Sequence, residues 1–246
     1  MIPLRLTWTG LAALVVALAL TALILMPVAR KLSGSRARAS CLTNLKQIGM
    51  MFKMYANEHN GLLPPRSPAP GNWMADAPAL YPDYLTDAGL FICPADDLDR
   101  SRAFTLRSAW RHPGFSRGDR HPGCVSARSY NYTGYAINGD EQALGLYLAW
   151  EATGGSLPGQ LRDLPIPQWP KSDWNPPGQG IPLLWDRARL DPTKLAHTNG
   201  INVLHLDGSA TYVPYSPLNT SSNFPATQLS AVLFGEEEPQ MPTECG

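Results

Sequence analysis

The feature that most constrains this chain is the uncharged run at residues 8–29, "WTGLAALVVALALTALILMPVA", which leads within a few residues into an amphipathic segment. About 20 consecutive apolar residues span the hydrocarbon core of a bilayer as a helix. A secretory signal has a shorter apolar stretch of about 7–15 residues and ends at a small-residue cleavage site. Here the stretch at 11–26 is interrupted only by Thr21 and passes through Pro27 into Arg30 and Lys31. It reads as a retained transmembrane helix at 8–29, preceded by a short leader at 1–7.

Beyond the anchor, Leu42, Leu45, Ile48, Phe52 and Tyr55 recur every three or four residues. That period marks one buried face of a helix. Ser40 is the N-cap if a new helix begins there. Otherwise one helix runs from about Thr9 to Asn60, roughly 75 Å long, with a kink at Pro27. Gly61 is expected at C′, and Pro64 and Pro65 prevent continuation. Residues 30–60 therefore form a stem.

The remainder, 61–235, is large enough for one core. The 24 prolines and 21 glycines of the chain predict short elements joined by irregular loops. In 79–97 a helical turn is expected, then a short strand ending at Cys93, then an acidic loop. "RSYNYTGYAIN" at 128–138 reads as a strand from its alternating aromatics. A helix is expected from Asp140 with that residue as N-cap, a long loop over 153–180, and a buried strand over 181–187. "INVLHLDGSATYVPY" at 201–215 reads as a hairpin turning at Asp207-Gly208, a pair suited to a turn with positive φ at both central positions. A short helix is expected at 224–234, then a solvated acidic tail at 236–246. The fold class is α+β, with a long N-terminal helix packed on a small antiparallel sheet.

Twenty basic and twenty acidic residues leave no net charge. A nucleic-acid partner is excluded on that ground, because phosphate neutralisation needs a cationic face. Cys41, Cys93, Cys124 and Cys245 allow three pairings, among which sequence does not choose. No C-x-x-C is present, which argues against a zinc ribbon or a thioredoxin-type site. His197 and Asp207 lack a nucleophile motif or phosphate loop around them, so they read as structural. Neither an enzyme nor a cofactor is expected. Trp169, Trp174 and Trp185, with Tyr130, Tyr132 and Tyr135, read as core or subunit contact in preference to a ligand-binding face.

"RARASCLTNLKQIGMMFKMYANEHNGLLPP" resembles the first helix of type IV pilin-like and type II secretion pseudopilin-like proteins of planctomycete and verrucomicrobium type. "HTNGINVLHLDGSATYV" resembles their C-terminal element, in which a histidine precedes Asp-Gly in an H-x9-D-G pattern. His197 with Asp207-Gly208 has that spacing. "LYPDYLTDAGLFICPADD" and "SYNYTGYAIN" resemble intermediate segments, so the likeness runs from about 36 to 213.

The resemblance implies a single-pass inner-membrane protein whose stem packs on an α+β domain outside the membrane. Its partners would be the membrane and other pilin-like subunits, in homo- or hetero-oligomers. It implies a disulfide between Cys41 and Cys93, tying stem to domain. Asp96, Asp97 and Asp99 form an acidic loop of a kind that holds calcium in some pseudopilins, although three carboxylates supply only part of a calcium shell. Gly10-Leu11 stands where a leader cleavage site would fall. The family then carries Glu at the fifth mature position, where this chain has Val15, and no acid occurs anywhere in the span. That departure suits a minor or uncleaved subunit better than a filament-forming one. The positive-inside rule alone would put the domain in the cytoplasm, because Arg30, Lys31, Arg36 and Arg38 follow the span. Similar basic residues occur there in the resembled family, whose domain is external. The alternative from a different class is an anchored extracytoplasmic module that binds a solute or polysaccharide.

Overall fold

The structure, a computed structural model, describes residues 8–96, 101–135, 137–154, 180–216, 223–236 and 238–245, without the side chains at 9–10 and 27–33. One helix, α1 (Trp8–Glu58), takes up 51 residues, about 75 Å at the usual rise per residue. No second helix starts at Ser40. Two short elements follow, α2 (Ala77–Leu80) and a 3-10 turn at Ala88–Phe91, and then α3 (Asp140–Ala152). The chain finishes through α4 (Gln228–Ser230) and a π turn at Ala231–Gly235.

The halves of α1 differ in what surrounds them. The large side chains between Leu11 and Met26 are exposed, Leu23 at 72 %. Among the described residues no helix is long and apolar enough to cross a membrane. In the C-terminal half, Cys41, Leu45, Ile48, Phe52 and Ala56 are fully buried. Leu42 and Tyr55 are only half-buried, so the buried stripe is centred one position away from the expected one. The helix ends with the Gly61 N–H bonded to the Ala56 carbonyl at 2.7 Å. Asn60 is left-handed at φ 56°. The C′ residue is thus Asn60 and Gly61 follows it, a Schellman arrangement shifted by one from expectation.

Four strands form an antiparallel meander: β1 (Tyr130–Asn131), β2 (Pro182–Asp186), β3 (Gly200–His205) and β4 (Ala210–Pro214). Mixed helix and a small antiparallel sheet make the fold α+β. Register assigns the faces. Tyr130 pairs with Asp186, and Leu184 with Leu204. Leu204 packs under α1, where a Cβ on Gly49 would lie 3.1 Å from its Cδ1. Period-two alternation then places Tyr130, Leu184, Asp186, Asn202 and Leu204 on the face toward α1. Asn131, Trp185 and Val203 face the other way, where Trp185 meets Phe224 and Phe234, and Phe234 meets Trp73. The sheet is therefore buried on both sides, which explains why β2 and β3 read as continuous apolar runs.

Several local expectations are corrected. Within the stretch expected to form a strand ending at Cys93, Ala88–Phe91 turns as a 3-10 helix, because the Asp87 side chain accepts from the Gly89 N–H at 2.8 Å and starts a turn. Of the described residues of 128–138 only Tyr130 and Asn131 join the sheet, and the Tyr132 N–H bonds to the Trp73 carbonyl instead. Gly139, not Asp140, is the N-cap of α3, and Asp140 Oδ1 accepts from Thr227 Oγ1. The hairpin turn uses one left-handed residue, Gly208 at φ 83°, where two were expected. Its N–H bonds to the His205 carbonyl at 2.9 Å, giving the three-residue loop form. Glu236 and Glu238 are exposed, as expected of the acidic tail, but the C-terminal segment is pinned at several points. Glu238 pairs with Arg187 at 3.1 Å, the Arg107 N–H bonds to the Glu244 carbonyl, and Cys245 is bonded to Cys124.

Candidate functional site

The face of the sheet under α1 carries a polar cluster inside an otherwise apolar core. Asp186, at the end of β2, is 0 % exposed, and His197, in the turn before β3, is 4 % exposed. His197 Nε2 lies 3.3 Å from Asp186 Oδ2 and 3.6 Å from Cys93 Sγ. Cys93 is bonded to Cys41 of α1, and Cys124 to Cys245. Helix, sheet, the 88–93 turn and the turn before β3 thus meet at one point.

Local chemistry sets each position. Asp186 ends an apolar strand and uses Oδ2 to accept from the Asn202 backbone N–H at 2.6 Å. The Asn202 side-chain amide lies near enough to favour the carboxylate slightly, but no hydrogen bond of good geometry joins the two, and Asp186 Oδ1 has no partner among the described residues. His197 is held by a tight turn in which Asn199 is left-handed at φ 62°. Gly200 follows because a Cβ there would lie 2.5 Å from both Tyr212 and the Val213 carbonyl. The nine residues between His197 and Asp207 are a turn, one six-residue strand and the start of the next turn. The motif spacing therefore measures β3, and it does not bring Asp207 to the histidine. Asp207 Oδ1 accepts from the Ser209 N–H at 2.8 Å and shapes the hairpin.

Burial dominates the electrostatics. It pushes the Asp186 carboxyl up to about 8, with the Asp96 charge adding and the Asn202 N–H opposing. It pushes the His197 imidazole down to about 4, with the Arg38 charge adding. An isolated buried charge is costly enough that such groups neutralise instead. At neutral pH burial therefore favours the uncharged form of both groups. Arg38 reaches this region from α1 and lies over the Tyr212 ring, 4.2 Å from its centroid. The cluster acts as a clamp that fixes the stem on the sheet.

The other sequence candidates lie elsewhere. Asp96 is described and its N–H bonds to the Cys93 carbonyl at 3.1 Å, while Asp97 and Asp99 lie outside the described residues, as do Trp169 and Trp174. Trp185, Tyr130, Tyr132 and Tyr135 are buried and present no ring to a ligand. Gly10 and Leu11 lie in the first turns of α1, with Leu11 exposed. Sequence reading missed Asp186, Asn202 and Arg38. The signal for the first two was a polar residue inside or closing a buried apolar run, in "LLWD" and "INVL". Compared with known proteins, the chain matches no family model, no curated protein and no solved structure.

Proposed function

We propose that this chain is a membrane-anchored structural subunit of the pseudopilin-like class, a minor or uncleaved member of a type II secretion or type IV pilus-like assembly. Residues 8–29 anchor it in the inner membrane, and the α+β domain stands on the extracytoplasmic side. The observation that carries this reading is the division of α1. One continuous helix leaves its N-terminal apolar half bare and lays its C-terminal half on a small antiparallel sheet. Bare apolar helix of that kind needs lipid or neighbouring helices around it. Two disulfides support an oxidising compartment, which favours export of the domain. The work of such a subunit is assembly, with no reaction attached.

Cross-linking of the full chain in its native membranes is the test. Ladders of homo- or hetero-oligomers are expected, and a monomer alone would overturn the assembly reading. Leu18→Arg places a charge near mid-bilayer at a cost of about 3 kcal/mol and is expected to shift the chain toward the soluble fraction. A wild-type chain already found in that fraction would overturn the anchor. A mature N-terminus at Leu11 would mark pilin-type processing, and one at Met1 an uncleaved anchor.

A further inference from the structure

The clamp beneath α1 has the donor set of a metal site. Cys41 Sγ, Cys93 Sγ and His197 Nε2 lie within 4.8 Å of one another, and all three residues are buried. Asp186 Oδ2 stands 3.3 Å from the same histidine nitrogen, and Asp186 Oδ1 has no partner among the described residues. Tetrahedral Zn2+ binds thiolate sulfur at about 2.3 Å, imidazole nitrogen at about 2.0–2.1 Å and carboxylate oxygen at about 2.0–2.2 Å. Those lengths require a sulfur-to-nitrogen edge of about 3.5 Å and a nitrogen-to-oxygen edge of about 3.3 Å. The observed edges are 3.6 Å and 3.3 Å. The sulfur-to-sulfur edge differs. It is a covalent bond here, and two thiolates sharing Zn2+ stand about 3.8 Å apart. Each sulfur would retreat by roughly an ångström.

We propose that the reduced chain binds one Zn2+ at this point through Cys41, Cys93 and His197, with the Asp186 carboxyl moving in as fourth ligand. Entry to that state is a two-electron step. A dithiol reductant gives two electrons and two protons to the Cys41–Cys93 bond, leaving two thiols and the cyclic disulfide of the reductant. Zn2+ then displaces both thiol protons to solvent, because the thiolate is the ligand. Two thiolates and one carboxylate exceed the charge of the ion by one, and the Arg38 guanidinium, whose charge reaches His197, offsets it. Metal and disulfide are alternative clamps at one place. A chain not yet oxidised would hold its stem on the sheet with zinc, and thiol–disulfide exchange with a disulfide oxidant, which takes the two electrons, and two protons from solvent, and leaves as a dithiol, would release the ion as the covalent bond forms.

The full chain in detergent micelles tests this with Co2+ as a spectroscopic stand-in. Reduction uses a water-soluble phosphine, which becomes the phosphine oxide by taking oxygen from water and does not compete strongly for metal. The reduced chain is expected to take up one Co2+ with thiolate-to-metal charge-transfer and tetrahedral ligand-field absorption, both erased by Zn2+. The oxidised chain is expected to take up none. His197→Ala is expected to weaken the site by about tenfold or more, while replacing Cys124 and Cys245 with Ser leaves the spectrum in place. No tetrahedral spectrum from the reduced wild type, an equal spectrum from the oxidised chain, or unchanged affinity in His197→Ala would each overturn the proposal. The reduced-against-oxidised contrast needs no variant, so it decides the matter even if a substituted chain fails to fold.

Discussion

The two halves of α1 are the same helix in two different surroundings. Around Leu20 the side chains are apolar apart from Thr21, whose hydroxyl donates to the Ala17 and Leu18 carbonyls, and none is covered by the domain. Around Ile48 the buried apolar residues keep to one stripe, and the other faces carry Lys46, Gln47 and Lys53 beside the exposed Met50 and Met54. An all-round apolar helix finds its free energy outside its own chain, whereas an amphipathic one finds it within the fold. Helix propensity distinguishes the halves poorly, and the pattern of polar residues distinguishes them well. The buried half also carries the devices that fix one geometry. Gly49 lets β3 approach, Cys41 makes the covalent tie, and Asn44 Nδ2 donates to the Ile92 carbonyl at 3.0 Å. None of these has a counterpart among the described side chains between Leu11 and Met26.

The largest effect expected from breaking this contrast comes from truncating one apolar residue in each half. Phe52 is fully buried and packs edge-on against Tyr132, with ring centroids 5.2 Å apart. Phe52→Ala is expected to cost about 3–5 kcal/mol of domain stability. Leu20→Ala removes comparable apolar surface from the exposed half, and it is expected to leave unfolding within about 0.5 kcal/mol of wild type. Denaturant titration of the full chain in micelles, followed by tryptophan fluorescence, measures both. Equal losses in the two variants would show that the halves do not divide the work in this way.

How much was legible in sequence follows from the same physics. The stem was legible because periodicity, Asn60-Gly61 and two prolines all point to the same boundary. The hairpin at 201–215 was legible because a turn pair sits between two apolar runs. The 88–93 stretch was misread because a short apolar run looks alike in a buried strand and a buried turn, and the decisive Asp87 contact is a single side-chain bond. In 128–138 the alternation was real, but Tyr132 found Trp73 and the loop carbonyl of Pro64 instead of a strand partner. His197 stood out by its spacing from Asp207-Gly208, yet its partner is Asp186, eleven residues earlier on another strand. That pairing follows from tertiary register, which no local pattern encodes.

The polar cluster sharpens the comparison through pH, since it ties only the buried half to the sheet. The Asp186 carboxyl sits at about 8, against 3.8 in an unstructured chain, so it favours the folded state at low pH and loses that contribution as pH rises to 8. The His197 imidazole sits at about 4, against 6.5, so its contribution is present above 6.5 and is lost as pH falls toward 4. Between about pH 4 and 6.5 the two slopes oppose and the stability of the oxidised chain is expected to be flat. From 6.5 to 8 only the aspartate acts, and a fall on the order of 2 kcal/mol is expected at most. Asp186→Asn should remove that fall. A wild-type profile that stays flat or rises over this window would mean that the cluster holds no extra proton in the folded protein.

The smallest effect tests the turn of the β3–β4 hairpin. Gly208 turns the hairpin at φ 83°, where an L side chain with a Cβ is strained by about 1–2 kcal/mol. Gly208→Ala is expected to cost about 1 kcal/mol, and Gly208→Asn less, because Asn tolerates the left-handed region. Neither variant should alter membrane partitioning or the Cys41–Cys93 bond, which non-reducing peptide mapping reports. If Ala and Asn cost the same, the loss comes from the volume of the side chain and not from its backbone angle. The side chain at position 208 would then meet a neighbour that its backbone angle does not explain.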